Sequence, residues 1–234
     1  MQQKIRESIA EIQKRIEQAS LRSNRNPSEI KIVAVTKYST LETTKAVLDE
    51  GLIHIGESKV QDVIPKLNML GDRGIWHFIG HLQTNKVKDV VGHFRYIHSL
   101  DRISLAKEIE KWGKKKEVKT NCFVQVNVSG EESKFGLKPK EVLEFVKETS
   151  KMEYITICGL MTMAPFESNP EDTRPIFQKL RELQEEVKSL QLPHAPAQDL
   201  SMGMSNDFEV AIEEGATFIR LGTILVGQEL KPTH

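Results

Sequence analysis

Lys37 closes an apolar, β-branched run, Ile30-Lys31-Ile32-Val33-Ala34-Val35-Thr36-Lys37, on the same parity as Val33 and Val35. Side chains two apart on a strand share a face, so the Lys37 ammonium is expected to point where the valines point. A strand-end lysine reaching solvent is the plainer reading of composition. The chemical reading is an inward lysine that keeps a free amine and condenses with an aldehyde to a Schiff base. Near the other end of the chain, Thr217 to Thr223 reads as a strand whose apolar run is interrupted by Arg220, with Gly222 and Thr223 at its end, where backbone amides can approach an anion. Ahead of it, Ser201-Met202-Gly203-Met204-Ser205-Asn206-Asp207 is a small-residue loop leading into a helix, and the N–H groups of a helix start favour a phosphate. A Schiff-base lysine beside a phosphate cradle and an arginine suits an aldehyde phosphate. Pyridoxal phosphate fits that description, with a sugar phosphate as the alternative.

These two clusters lie near opposite ends of the chain, so an architecture must bring them together. The pattern repeats as strand, loop, helix, with strands expected to start near Ile30, Leu52, Ile75, Phe94, Lys119, Tyr154, Gln198 and Thr217. Helices are expected over about 40–50, 58–70, 84–91, 102–112, 139–150, 170–190 and 206–214, after a first helix carrying Ile5, Ile9, Ile12, Ile16 and Ala19 at helical spacing. Ser39-x-x-Glu42 has the form of a capping box, and Asn169-Pro170 caps the 170–190 helix, whose stripe is Ile176, Leu180, Leu183, Val187 and Leu190. Strict alternation implies a parallel sheet. Eight strands in 234 residues suit a single closed (β/α)8 TIM-type barrel with an extra N-terminal helix, one domain over 1–234. A doubly wound open sheet would want a Gly-rich turn after its first strand, and Thr36-Lys37-Tyr38-Ser39 is not one. Closure pairs strand eight with strand one and makes neighbours of Lys37 and Arg220. The loops after strands seven and eight are the frequent phosphate site of such barrels.

Composition narrows the classes. Thirty-three basic residues balance thirty-three acidic ones, which argues against nucleic-acid binding driven by bulk charge. With 38% hydrophobic and 28% charged residues, disorder is not expected. Cys122 and Cys158 sit in strand-like stretches without a CxxC pattern and read as buried thiols. The N-terminus has no apolar h-region, and the longest uncharged apolar stretch, Tyr154 to Phe166, is too short to span a bilayer, so a soluble cytoplasmic protein is expected. His77-x3-His81 has helical metal-ligand spacing but falls on a strand broken by Gly80, which is unsuited to zinc. Lys114-Lys115-Lys116 reads as a solvated loop. Met161, Met163, Met202 and Met204 either fill the core or line a flat cofactor. Gln125 and Asn127 end strand five on one parity and carry no assigned role.

Six motifs in one order, Val33-Ala34-Val35-Thr36-Lys37, Gly56-Glu57, Trp76 to Lys86, Gly159-Leu160-Met161-Thr162-Met163, Ser201 to Asp207 and Arg220-Leu221-Gly222-Thr223, closely resemble the pyridoxal phosphate homeostasis protein family, the YggS/PROSC group. The resemblance implies a barrel similar to the N-terminal domain of alanine racemase, with pyridoxal 5′-phosphate as a Schiff base on Lys37. It implies phosphate contacts at Ser205, Gly222 and Thr223, a ring-nitrogen partner in Arg220 and a cofactor-lining role for Met204. Where the family usually has Gly-Glu-Asn, this chain has Gly56-Glu57-Ser58, which lacks the carboxamide. Arginine cannot accept a proton, so a ring nitrogen beside Arg220 is a weak electron sink, and binding and delivery are expected rather than catalysis. Apo-enzymes are the expected recipients, and the chain is expected to be a monomer. An amino-acid racemase is the rival. It needs a second base opposite Lys37, which the sequence does not reveal, and enzymes of that kind carry a further C-terminal β-domain for which the sequence leaves no room. A Schiff-base aldolase would need a carboxylate or second lysine among strand ends that are mostly small, amide or sulfur residues.

Overall fold

Strands and helices alternate throughout the computed structural model, which describes residues 1–166 and 169–227. The elements are α1 (Gln2–Arg22), β1 (Lys31–Val35), α2 (Leu41–Asp49), β2 (His54–Glu57), α3 (Val60–Leu70), β3 (Ile75–Phe78), α4 (Val87–Val90), β4 (Tyr96–Leu100), α5 (Ile103–Lys116), β5 (Thr120–Gln125), α6 (Val142–Glu148), β6 (Ile155–Met161), α7 (Arg174–Ser189), β7 (Asp199–Ser201), α8 (Phe208–Glu213), β8 (Phe218–Leu221) and α9 (Thr223–Val226). The strands are parallel and neighbour one another in chain order. β8 closes onto β1 with Val33 opposite Arg220 and Ala34 opposite Leu221. This is the expected TIM-type barrel with an added N-terminal helix, and each strand begins within two residues of its expected start.

Alternation along each strand sorts the core into two parts. Ile32 and Ala34 of β1 face the helical layer, whereas Val33 joins Phe123, Cys158, Met161 and Phe218 inside the barrel. The α1 stripe of Ile5, Ile9, Ile12, Ile16 and Ala19 is buried as the spacing predicts. Its polar side is tied to α8 by Arg15–Glu209 at 2.7 Å and Arg22–Glu213 at 2.6 Å. Both cysteines are buried. Among the described residues no helix is long and apolar enough to cross a membrane.

Four local expectations are corrected. The cap of α2 is Thr40, whose hydroxyl accepts from the Thr43 N–H, so the Ser39-x-x-Glu42 box is one residue early. Lys114 to Lys116 form the last turn of α5 rather than a loop. Gly113 sits inside that helix because a Cβ there would approach the Tyr154 Cβ to 2.6 Å, and cations suit the negative helix end. Asn169 caps a 3-10 turn, Pro170–Thr173, before α7 begins, and the buried face of α7 is Phe177, Leu180, Leu183, Gln184 and Val187. The helix expected over 206–214 is the six-residue α8.

Candidate functional site

The C-terminal mouth of the barrel holds a cavity of about 530 Å³, within the range of small-molecule sites. Its walls are the residues that follow the strands. Val35 and Lys37 come from the end of β1, Ser58 from β2, Ile79 to His81 from β3, Gln125 from β5, Met163 from β6, Met204 to Asp207 from β7, and Arg220, Gly222 and Thr223 from β8. Lys37 does not close β1, which ends at Val35, but lies in the turn over 36–39 that follows; it nevertheless lines the cavity that Val35 also reaches, so the turn rather than the strand pleat sets its direction.

The backbone around Lys37 is tied down from below. Glu57, at the end of β2 and fully buried, accepts from the Thr36 hydroxyl and from Lys66 Nζ, both at 2.7 Å. Lys66 of α3 also donates to the Thr36 carbonyl at 2.8 Å, so three elements meet at the residue preceding Lys37. On the opposite side of the seam, Asp207 accepts from the Met204 N–H at 2.6 Å and folds the loop that presents Ser205. Burial raises the Asp207 carboxyl above the usual range. The Thr223 hydroxyl reaches Ser205 Oγ at 3.4 Å, joining the loops after β7 and β8.

Arg220 lies at the cavity floor and is 4% exposed. Its Nη1 donates to Ser201 Oγ at 2.7 Å and its Nη2 to the Thr162 carbonyl at 2.9 Å. Burial pushes the guanidinium down to about 10, with buried Asp207 acting the other way, so it stays charged near neutrality.

A model of the alanine racemase N-terminal domain matches residues 8–229. A curated relative from Aquifex aeolicus, named pyridoxal phosphate homeostasis protein, is 43% identical over 226 residues, 95% of this chain and 97% of its own. The chain belongs to the pyridoxal phosphate homeostasis protein family. Among solved structures, PipY of Synechococcus elongatus PCC7942 with PLP bound is 31% identical with a TM-score of 0.81, covering 95% of this chain and all of PipY. Alanine racemase of Clostridium difficile 630 shares the fold, with a TM-score of 0.74 at 17% identity. The alignment spans 99% of this chain and 58% of the racemase.

Within this family frame, all six residues singled out from sequence, Lys37, Met204, Ser205, Arg220, Gly222 and Thr223, line one cavity. Ser58 lies on the wall as well, held close because a Cβ on Gly80 would come within 2.5 Å of its carbonyl oxygen. Of the four methionines, Met163 and Met204 line the cavity and Met161 and Met202 are core. Gln125 faces the mouth, whereas Asn127 turns away to bond the carbonyls of Glu131 and Lys134. His77 and His81 diverge. His77 is inside the barrel, and His81 stacks on Phe135 at 4.0 Å on the cavity wall. No second base opposite Lys37 is evident from the sequence; the cavity wall does carry two titratable side chains, His81 and Asp207.

Sequence reasoning missed the Thr36–Glu57–Lys66 network and an interior row of histidines, His54, His77 and His98, linked by hydrogen bonds of 2.8–2.9 Å. The row was findable, because each histidine sits in a strand on the inward parity.

The residues present suit pyridoxal phosphate. They supply one amine, one buried guanidinium, the hydroxyls of Ser58, Ser205 and Thr223, and a glycine, Gly222, whose added Cβ would meet nothing closer than Val35 at 3.6 Å. The protein itself leaves that space open toward the cavity.

Proposed function

We propose that this chain carries pyridoxal 5′-phosphate on Lys37 and releases it to apo-enzymes, working as a monomer in the cytoplasm. The observation that supports this most is the convergence of Lys37, Arg220 and the Ser205, Gly222 and Thr223 group on one cavity at the β1–β8 seam. The cofactor supplies an aldehyde for an amine to attack, a phosphate and an aromatic ring. Lys37 provides the amine. Ser205 and Thr223 offer hydroxyls, and the start of α9 offers backbone N–H groups to a phosphate. Arg220 has only donors, so it would hydrogen-bond a ring nitrogen in its unprotonated form and leave the cofactor a weak electron sink.

Borohydride reduction of the loaded protein followed by peptide mapping is expected to tag Lys37. A tag on another lysine, or none, overturns the reading. Delivery is tested by transfer to an apo-enzyme at a rate above that of simple release, and light scattering reads the oligomeric state. A second reading, amino-acid racemisation, gains support from one observation: the His81 ring is on the cavity wall with Asp101 Oδ2 3.8 Å from its Nδ1. Deuterium wash-in at the α-carbon of alanine and serine is expected to stay at the level of free cofactor. Turnover near 1 s⁻¹ that is lost in His81→Gln would replace the carrier reading with an enzymatic one.

A further inference from the structure

The interior of the barrel is filled by rings and one chain of hydrogen bonds. Phe218 stands edge-on to His54 at 5.7 Å and to Phe123 at 5.4 Å. Tyr96 stacks on His77 at 4.5 Å, and Phe123 on His98 at 4.4 Å, so the imidazole planes are fixed by packing. Through these rings run His54 Nδ1 to His77 Nε2 at 2.9 Å, His77 Nδ1 to His98 Nε2 at 2.8 Å, and His98 Nδ1 to Ser201 Oγ at 2.8 Å. Ser201 Oγ then receives Arg220 Nη1. His77, His98 and Ser201 are fully buried. His54 is half-buried and opens on a second cavity at the opposite, N-terminal face of the barrel, beside Lys31.

One end of this chain dictates the rest. A guanidinium has only donors, so Ser201 Oγ must accept from Arg220. Among the described residues that oxygen meets only Arg220 and His98. If His98 also donated to it, the serine hydrogen would be buried without an acceptor, a costly arrangement. Ser201 therefore donates to His98 Nδ1. A neutral imidazole has one donor and one acceptor, so His98 Nε2–H donates to His77 Nδ1, and His77 Nε2–H donates to His54 Nδ1. The His54 Nε2–H is left for the far face.

We propose that Ser201, His98, His77 and His54 form a hydrogen-bond relay of one fixed proton order, in which Ser201 is the positioning residue that holds Arg220 against the cofactor cavity. Its relation to the cofactor rests on the function proposed above. With Nη1 and Nη2 committed to Ser201 and Thr162, the guanidinium plane is set, and its remaining N–H groups serve the cavity. The fixed order also keeps the interior neutral. His54 presents no lone pair to the far face, so taking up a proton there requires reversing every link and stripping the Ser201 hydrogen of its acceptor. Burial and the neighbouring positive groups act the same way: Lys31 on His54, His54 and Lys31 on His77, and His77, Arg220 and His54 on His98.

Side-chain ¹⁵N–¹H correlation spectra of the chain without added cofactor read the order directly. All three histidines are expected as Nε2–H forms at pH 7.5, and an Nδ1–H form of His77 or His98 overturns the proposal. The truncations should be asymmetric. His54→Ala leaves the tautomers of His77 and His98 unchanged, whereas Ser201→Ala mixes the tautomer of His98. Ser201→Ala should also weaken pyridoxal phosphate retention about 3- to 10-fold, the range of one lost hydrogen bond, and shift the pH profile of the bound-cofactor absorbance. Ser201→Thr should restore all three readouts. Equal effects of both truncations, or unchanged retention in Ser201→Ala, overturn the positioning role. If Ser201→Ala does not fold, the wild-type tautomers and the His54→Ala pair still decide. Wild-type protein that shows the fixed order but takes up no pyridoxal phosphate refutes the carrier reading and leaves the relay standing.

Discussion

Two glycines beside the cavity answer to different demands. Gly203 has φ +92°, and a Cβ there would lie 2.6 Å from the Ala211 Cβ, so the turn after β7 requires it. Gly203→Ala should destabilise the protein by about 1–3 kcal/mol, read by urea unfolding. Gly222 has a negative φ, and its Cβ would make only ordinary contact with Val35. Gly222→Ala should leave unfolding within about 0.5 kcal/mol of wild type. It should nevertheless weaken pyridoxal phosphate retention by more than about 1 kcal/mol, because the methyl group enters the space a phosphate would occupy. Equal retention in that variant would remove the phosphate from this wall. Thr223→Ala, which loses one hydroxyl near Ser205, should weaken retention by about 1–2 kcal/mol, and pyridoxal lacking the phosphate should be indifferent to it.

At the scale of elements, the end of β1 is where strand, strand and helix are locked by charge. Lys66 on α3 is buried against Glu57 on β2, and both hold Thr36. Lys66→Met leaves a carboxylate in the interior without its cation and should cost about 3–5 kcal/mol in thermal or urea unfolding, with Lys37 displaced and retention reduced. The double variant Lys66→Met, Glu57→Gln should recover part of the loss. Glu57 stands out in the sequence only as part of the Gly56-Glu57 motif, and Lys66 is one lysine among many in the stretch expected as helix 58–70, with nothing to mark it as a buried cation. The strand-forming runs were legible, because a parallel strand covered on both faces is apolar throughout and bounded by polar turns. The six cavity residues were legible from strand-end position and motif. The supporting shell was not, since Thr36, Glu57 and Lys66 come from the end of β1, β2 and α3 and become partners only when α3 docks on the barrel.

For the molecule as a whole, buried histidines set an acid limit. Burial, with Lys31 and neighbouring rings, lowers the pKa of His54, His77 and His98, and burial lowers that of His194. An unfolded chain takes up these protons below about pH 6.5 while the fold does not, so the stability they provide is complete above that pH and is lost as pH falls. The fully buried His77 and His98 each contribute up to about 1.4 kcal/mol per pH unit, and His54 and His194, which are partly exposed, contribute less because solvent screens them. Asp207, raised by burial, has the opposite sign and is the smaller effect in number. Melting temperature should therefore drop between pH 6.5 and 5, ahead of the ordinary carboxylate range, and a flat profile there would mean the histidines titrate within the fold. The closure of β8 on β1 has a further meaning for how the molecule comes into being. On the ribosome, Lys37 emerges early, but its partners at 220–223 are still inside the exit tunnel when most of the barrel has been made. A nascent chain thus exposes a bare amine without Arg220, Gly222 and Thr223 beside it, and the cavity is walled in one late step, so loading would mark a finished barrel rather than one under construction.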